Sequence, residues 1–209
     1  MPFAKRHIIC QSQLRSHPYP FILTNMFPIQ VFKYPNGIHG TYIYKSGFSS
    51  TSLIFGHPIN LLFIKGFEVD RDEGRGSLFI PVRDPVERFA SAINTVRKNK
   101  KYSEHSVNEL IEMLEQNTFR NLHFMDVTTI LRNACFLFDD IHLYKFPDHY
   151  KEMLRDGGYD GKIPHENKSS KKLILTDSQK ERVEKYYSTD IKLFESIKEP
   201  GQKFHFLKI

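Results

Sequence analysis

The sequence predicts a three-layer α/β/α domain built on a central parallel sheet. Short apolar or β-branched segments alternate along the chain with helical segments, and this alternation favours parallel strands with helices on both faces. The 209 residues, 40% of them hydrophobic, suit one domain with a buried core. We therefore expect a single domain over residues 1–209, with an irregular N-terminal segment that wraps the core over 1–37 and the core itself over 38–198.

Four segments are predicted strands, and one of them is nearly all apolar. Residues 78–82 (LFIPV) have the composition of a strand that is buried on both faces. Residues 40–45 (GTYIYK) are β-branched and aromatic and end at a Gly/Ser-rich turn, which is typical of a strand followed by a loop. The remaining two predicted strands are residues 61–67 and 141–146.

The segment after 78–82 has the clearest helix start in the chain. Asp84 can cap the helix, Pro85 suits its first position, and Glu87 occupies the third position of a capping box. Apolar residues then recur at helical spacing up to Val96 and predict one buried face. Further helices are expected from residue 50 or 51 to before Pro58, from Ser106, after Pro147 as far as Gly157-Gly158, and as one long helix from Thr176.

Composition narrows the classes of protein that the chain can be. A formal charge of +6 favours anionic partners such as phosphates, sulfated sugars or nucleic acid, although such a charge also merely keeps a small domain soluble. Two cysteines, Cys10 and Cys135, exclude a disulfide framework. No apolar run approaches the roughly 20 residues of a membrane span, and the first 21 residues make a poor secretory signal. We expect a cytoplasmic protein.

The loop after the first predicted strand carries the residue types that bind an anion. In residues 45–52 (KSGFSSTS) a Gly-containing turn leads into a helix N-terminus, which presents free backbone N–H groups and the positive end of the helix dipole. Hydroxyls at 49–51 and the cation of Lys45 add to this. The pattern is not the nucleoside-triphosphate P-loop, because Tyr44 precedes the lysine where that motif needs glycine. A solvated turn is the alternative interpretation.

A second candidate anion site follows the strand at 78–82. Arg83 stands at the strand end, where a guanidinium can bind phosphate through paired hydrogen bonds. Ser91, two turns into the helix, shares its polar face with Asp84, Glu87 and Arg88. Alternatively, this is a solvated helix capped by Asp84, with a Glu87–Arg88 ion pair. Since both candidate sites follow strands of one sheet, we expect them at the same carboxyl edge.

These two segments resemble the cofactor signatures of sulfotransferases that use 3′-phosphoadenosine 5′-phosphosulfate (PAPS). Residues 45–52 are similar to the loop for the 5′-phosphosulfate, and VRDPVERFASAIN (82–94) to the element for the 3′-phosphate. The RDP-x-x-R-x-x-S-A pattern is typical of the carbohydrate sulfotransferase branch. NLHF (121–124) and parts of 141–194 resemble later landmarks of that branch. The resemblance covers residues 42–194 and implies the P-loop-NTPase-like sulfotransferase fold.

The resemblance also implies a reaction and its residues. A sulfonate group would pass in line from PAPS to an acceptor hydroxyl, with a glycan as the usual acceptor of this branch, and adenosine 3′,5′-bisphosphate would leave. Lys45 would neutralise charge on the bridging oxygen. No metal is required, and no nucleic acid partner is expected. The residues expected to bind the nucleotide are Lys45, Ser46, Gly47, Phe48, Ser49, Ser50, Thr51, Arg83, Ser91 and Lys168.

The general base is left open between three residues. The resemblance supports His123, while His57 follows the first loop and Glu68 follows a predicted strand. Two positions depart from the family pattern: Phe48 stands where many members have Ser or Thr, and Asp126-Val127 stands where Pro-Gln is usual.

Two other functions fit parts of the pattern. A nucleotide-dependent kinase or NTPase would require Mg²⁺ and a Walker lysine, which Tyr44 argues against. A non-catalytic module that binds nucleic acid or sulfated glycans would use only the basic surface. The sulfotransferase hypothesis requires Lys45 and Arg83 to lie together at one edge of the sheet.

Overall fold

A computed structural model describes residues 29–41, 43, 45–56, 59–61, 76–99, 102–119, 121–135, 137–164 and 173–204. The strands within these residues are β1 (Ile29–Lys33), β2 (His39–Thr41), β3 (Ile59–Leu61), β4 (Ser77–Arg83), β5 (Asp140–Phe146) and β6 (Gln202–Lys203). The α-helices are α1 (Phe48–Phe55), α2 (Pro85–Val96), α3 (Val107–Glu115), α4 (Val127–Ala134), α5 (Tyr150–Asp156), α6 (Asp177–Tyr186) and α7 (Ser188–Ser196), and Leu122–Phe124 form a 3₁₀ turn.

The six strands form one open sheet in the order β3-β1-β2-β4-β5-β6. Its centre is parallel, because β4 pairs in parallel with both β2 and β5. The outer strands β1, β3 and β6 pair antiparallel. The register of the central pair sets Arg83 opposite Phe146, at the carboxyl ends of β4 and β5. The predicted α/β class is confirmed, with a sheet that is parallel only at its centre.

Helices cover both faces of this sheet. Side chains alternate along a strand, so Leu78, Ile80 and Val82 of β4 pack on one face with residues of α4 and α7. Phe79 points to the other face and packs with Tyr150 of α5, and α1 packs against the same cluster. A third cluster joins α2, α3 and α6. The described residues therefore form the three expected layers.

The N-terminal part of the predicted architecture needs correction. The expected irregular segment over 1–37 is wrong for Ile29–Lys33, which form β1 between β2 and β3. Val31 and Phe32 of this strand are buried, so this part of the chain belongs to the core. Residues 1–28 lie outside the described residues. So does most of the strand predicted at 61–67, of which Leu61 ends β3.

Two helices also differ from their predicted bounds. Helix α1 begins at Phe48, directly after Gly47, whose left-handed backbone (φ 87°) ends the preceding turn. The long helix predicted from Thr176 starts with its capping box but divides at Tyr187 into α6 and α7. The Tyr187 hydroxyl donates to the Phe124 carbonyl oxygen at 2.6 Å. Tyr187 is buried, and this hydrogen bond connects the junction of α6 and α7 to the 3₁₀ turn.

A buried ion pair joins α2 to the C-terminal helices and to the start of α4. Arg88 and Asp190 are each 1% exposed, with Nη2 3.2 Å from Oδ2. Arg88 Nη1 also donates to the Met125 carbonyl oxygen at 2.6 Å. The Asp190 carboxylate accepts from the Val127 and Thr128 N–H groups at 2.7 and 3.0 Å. The pair thereby fixes the segment between the 3₁₀ turn and α4.

Removing one member of this pair is expected to destabilise the fold strongly. Arg88→Met leaves the Asp190 carboxylate buried without its cation, and we expect the free energy of unfolding in urea to fall by about 3–5 kcal/mol. Arg182→Gln is the matched control, because Arg182 pairs with Glu115 at the surface and such pairs contribute less than about 1 kcal/mol. Equal losses in the two variants would contradict a dominant role for the buried pair.

Candidate functional site

The ends of two neighbouring parallel strands meet at the candidate site. Arg83 ends β4, and Lys45 lies in the turn that follows β2. Arg83 Nη1 donates to the Lys45 carbonyl oxygen at 3.0 Å. The sequence predicted that these two residues lie together, and the structure brings them into direct contact at the carboxyl edge of the sheet.

Lys45 reaches across this edge to helix α2. Its backbone is left-handed (φ 70°), and its ammonium donates to the hydroxyl oxygen of Thr95. Thr95 in turn donates to the Ser91 carbonyl oxygen at 3.5 Å. Ser91 therefore lies one helical turn from the Lys45 contact, on the same face of α2. Thr95 was not predicted as a site residue, although its spacing of four residues from Ser91 was a usable signal.

The immediate surroundings of Lys45 are cationic. Burial lowers the pKa of Lys45, and the nearby charges of Lys98 and Arg83 lower it further. No carboxylate pairs with the Lys45 ammonium in the part of the chain that the structure describes. Such a group of cations favours an anion bound among them, because the anion relieves the repulsion between like charges.

The glycine of the loop is required by close packing as well as by its conformation. Gly47 has φ 87°, and an added Cβ would lie 2.9 Å from Cε2 of Tyr150 and 3.0 Å from Cε2 of Phe146. No side chain caps the N-terminus of α1 at Gly47. The first N–H groups of a helix have no intrahelical partner, so this end of α1 can donate hydrogen bonds to an anion.

The hydroxyl groups of the loop differ in their hydrogen-bond partners. The buried Thr51 hydroxyl donates to the Gly47 carbonyl oxygen at 2.9 Å and lies 2.6 Å from the Tyr150 hydroxyl. Ser50 Oγ donates to the Pro164 carbonyl oxygen at 2.8 Å. Both predicted donors thus make internal contacts here. Ser46 Oγ is buried without a hydrogen-bond partner among the described residues.

Three other predicted site residues lie outside the described residues, namely His57, Glu68 and Lys168. Of the remaining loop residues, Ser49 is half-buried, and Phe48 begins α1.

Arg83 contacts an acidic neighbour on its other side. Its Nη2 lies 3.3 Å from Glu87 Oε2, and its Nε is buried without a hydrogen-bond partner among the described residues. The expected surface ion pair between Glu87 and Arg88 is wrong, because Arg88 is buried with Asp190 and Glu87 pairs with Arg83 instead. The predicted Asp84 cap is confirmed, with the Glu87 N–H donating to its carboxylate at 2.9 Å.

His123 lies beside the cationic group. It occupies the 3₁₀ turn, where its backbone N–H donates to the Asn121 side-chain oxygen at 3.0 Å. Burial lowers the pKa of His123 to about 4, with a further contribution from the Lys45 ammonium. The imidazole is therefore neutral at pH 7.

Clefts lined by described residues lie near this region. One of about 640 Å³ opens beside the Arg83–Glu87 pair, and it is lined by Asp84, Val86, Glu87, Phe146, Pro147, Asp148, Lys180, Glu184 and Phe194. The other, of about 620 Å³, lies along α1 and is lined by Leu53, Ile54, Tyr159, Lys162, Ile163 and Pro164.

The described residues contain no group of three or more His, Cys, Asp or Glu side chains placed to hold a metal ion. None of their helices has the length and apolar character needed to cross a bilayer. Comparison of the chain with protein-family models, curated proteins and solved structures finds no match.

The position of His123 predicts an unusual titration. By NMR, the His123 imidazole should titrate near pH 4 rather than near the ordinary value of about 6.5. Because its folded pKa is lowered, the stability that neutral His123 contributes is complete above the ordinary value and is lost as the pH falls towards 4.

A second variant tests the cause of this shift. Lys45→Met removes the neighbouring cation, so the His123 midpoint should rise while burial keeps it below 6.5. A His123 midpoint of 6 or higher in the unaltered protein would contradict the described position of this side chain.

Proposed function

We propose that the chain is a PAPS-dependent sulfotransferase that transfers a sulfonate group to an acceptor hydroxyl, with a glycan as the acceptor. The observation that carries this proposal is the contact between Lys45 and Arg83 at the carboxyl edge of the parallel strands. It places the two segments that resemble the cofactor signatures side by side. The Ser91–Thr95 face of α2 lies against the same lysine.

In this proposal, different groups of the site bind the two ends of the nucleotide. PAPS supplies the activated sulfonate and carries its distinguishing phosphate at the 3′ position. Arg83 and Ser91 bind that phosphate, and Glu87, now paired with Arg83 at 3.3 Å, competes with it for the guanidinium. The uncapped N–H groups of α1 and the buried Ser46 hydroxyl bind the 5′-phosphosulfate.

The chemistry of transfer asks for charge stabilisation and a proton acceptor. The new bond joins the acceptor oxygen to sulfur, and the bond from sulfur to the bridging oxygen breaks. Lys45 neutralises the charge that grows on the bridging oxygen. His123 is proposed to take the proton of the acceptor hydroxyl; its pKa of about 4 makes it a weak base in the free protein, and a bound anion that offsets the Lys45 charge would raise that pKa.

Nucleotide binding tests this proposal directly. By isothermal titration, adenosine 3′,5′-bisphosphate should bind more tightly than ATP, because ATP lacks the 3′-phosphate that Arg83 is proposed to bind. Arg83→Ala should weaken the bisphosphate about 10- to 100-fold, the effect expected when a charged hydrogen-bond donor is lost.

The matched control removes a cation from the opposite end of the sheet. Lys203 pairs with Asp140 at 3.1 Å, at the amino end of β5. This is roughly 20 Å from Arg83 at about 3.3 Å per strand residue. Lys203→Gln should leave bisphosphate binding unchanged.

Three outcomes would overturn the assignment. Equal binding of the two nucleotides would remove the basis for 3′-phosphate recognition. Mg²⁺-dependent preference for ATP would favour a kinase or NTPase. Polyanion binding that falls steeply with salt but is indifferent to Arg83→Ala would favour a non-catalytic module.

A further inference from the structure

This inference rests on the proposed function and concerns how the product nucleotide leaves. We propose that the Glu87 carboxylate occupies the phosphate-binding edge of Arg83 in the free protein, yields that edge to the 3′-phosphate, and returns to it when adenosine 3′,5′-bisphosphate dissociates. Glu87 thus limits how long the product stays bound, without touching the reacting atoms.

The hydrogen bonds of Arg83 identify this edge of the guanidinium. Nη1 donates to the Lys45 carbonyl oxygen at 3.0 Å, so one side of the group contacts the protein backbone. Nε and Nη2 form another edge, whose two parallel N–H groups can bind two oxygens of one phosphate. Nη2 lies 3.3 Å from Glu87 Oε2, whereas Nε is buried without a hydrogen-bond partner among the described residues.

The unpartnered Nε indicates that Glu87 satisfies this edge only in part. A buried N–H group without a partner carries a free-energy cost. Glu87, four residues along the chain, reaches Nη2 with one oxygen. A phosphate that approaches along the edge can pair with both nitrogens and therefore displaces the carboxylate.

Arg83 does not depend on Glu87 for its position. Besides the bond to the Lys45 carbonyl, its guanidinium carbon lies 5.8 Å from the centre of the Phe146 ring. The Arg83 side chain is 21% exposed and the Glu87 side chain 42%. The carboxylate can therefore rotate into solvent while the guanidinium stays in place, so losing the Glu87 charge should strengthen phosphate binding.

Glu87→Gln tests the proposal, because it removes the charge and keeps the shape of the side chain. By isothermal titration, the variant should bind adenosine 3′,5′-bisphosphate about two- to fivefold more tightly, the effect expected when a competing exposed ion pair is lost. Surface plasmon resonance should show that most of this gain comes from slower dissociation. Adenosine 5′-monophosphate, which lacks the 3′-phosphate, should bind the variant and the unaltered protein equally.

Glu184→Gln is the matched control. The Glu184 side chain lines the same cleft as Glu87, but it pairs with Lys180 at 3.6 Å. This substitution removes the same charge from the cleft and leaves the Arg83–Glu87 contact intact. It should change neither the affinity for the bisphosphate nor its rate of dissociation.

The inference would be overturned if Glu87→Gln bound the bisphosphate with unchanged or weaker affinity, because Glu87 would then not compete for Arg83. It would also fail if Glu184→Gln gave the same gain, if adenosine 5′-monophosphate shared the gain, or if the gain came from faster association alone. Absence of bisphosphate binding to the unaltered protein would instead remove the proposed function itself. The two failures are therefore distinguishable.

Discussion

The buried pair of Arg88 and Asp190 fixes the helical elements that surround the candidate site. Charges that are this fully removed from water persist only with good partners, and here the partners are backbone groups of the segment that enters α4. The pair therefore connects α2, α7 and the segment from Met125 to Thr128. His123 and the Thr95 contact of Lys45 lie on elements that this pair connects. The position of His123 therefore depends on a buried network of Arg88 and Asp190.

Arg83 separates two electrostatically different regions. Lys45 and Lys98 lie on one side, and the cleft to which Asp84, Glu87, Asp148 and Glu184 contribute lies on the other. Arg83 contacts both, through the Lys45 carbonyl and the Glu87 carboxylate. The local charges consequently favour an anion beside Lys45 and disfavour one in the opposite cleft.

Local sequence signals and the order of strands and helices were enough to predict part of the fold and of the candidate site. The capping residues of α2 and the alternation of strands and helices predicted the α/β class and the meeting of Lys45 with Arg83. The Arg88–Asp190 pair could not be predicted, since it joins residues 102 positions apart and Arg88 lies on a face that looks polar in sequence. The internal role of Thr51 was missed for the same reason: its partner Tyr150 comes from a distant helix. A hydroxyl's sequence context does not distinguish a ligand contact from a core contact.

The packing of Gly47 against the rings of Tyr150 and Phe146 has a kinetic consequence. A loop pressed onto two aromatic rings has few alternative shapes, so little chain entropy remains to be lost when an anion arrives. Capture should then proceed without a slow rearrangement of the loop, and differences in affinity among related anions should appear mainly in how long each one stays.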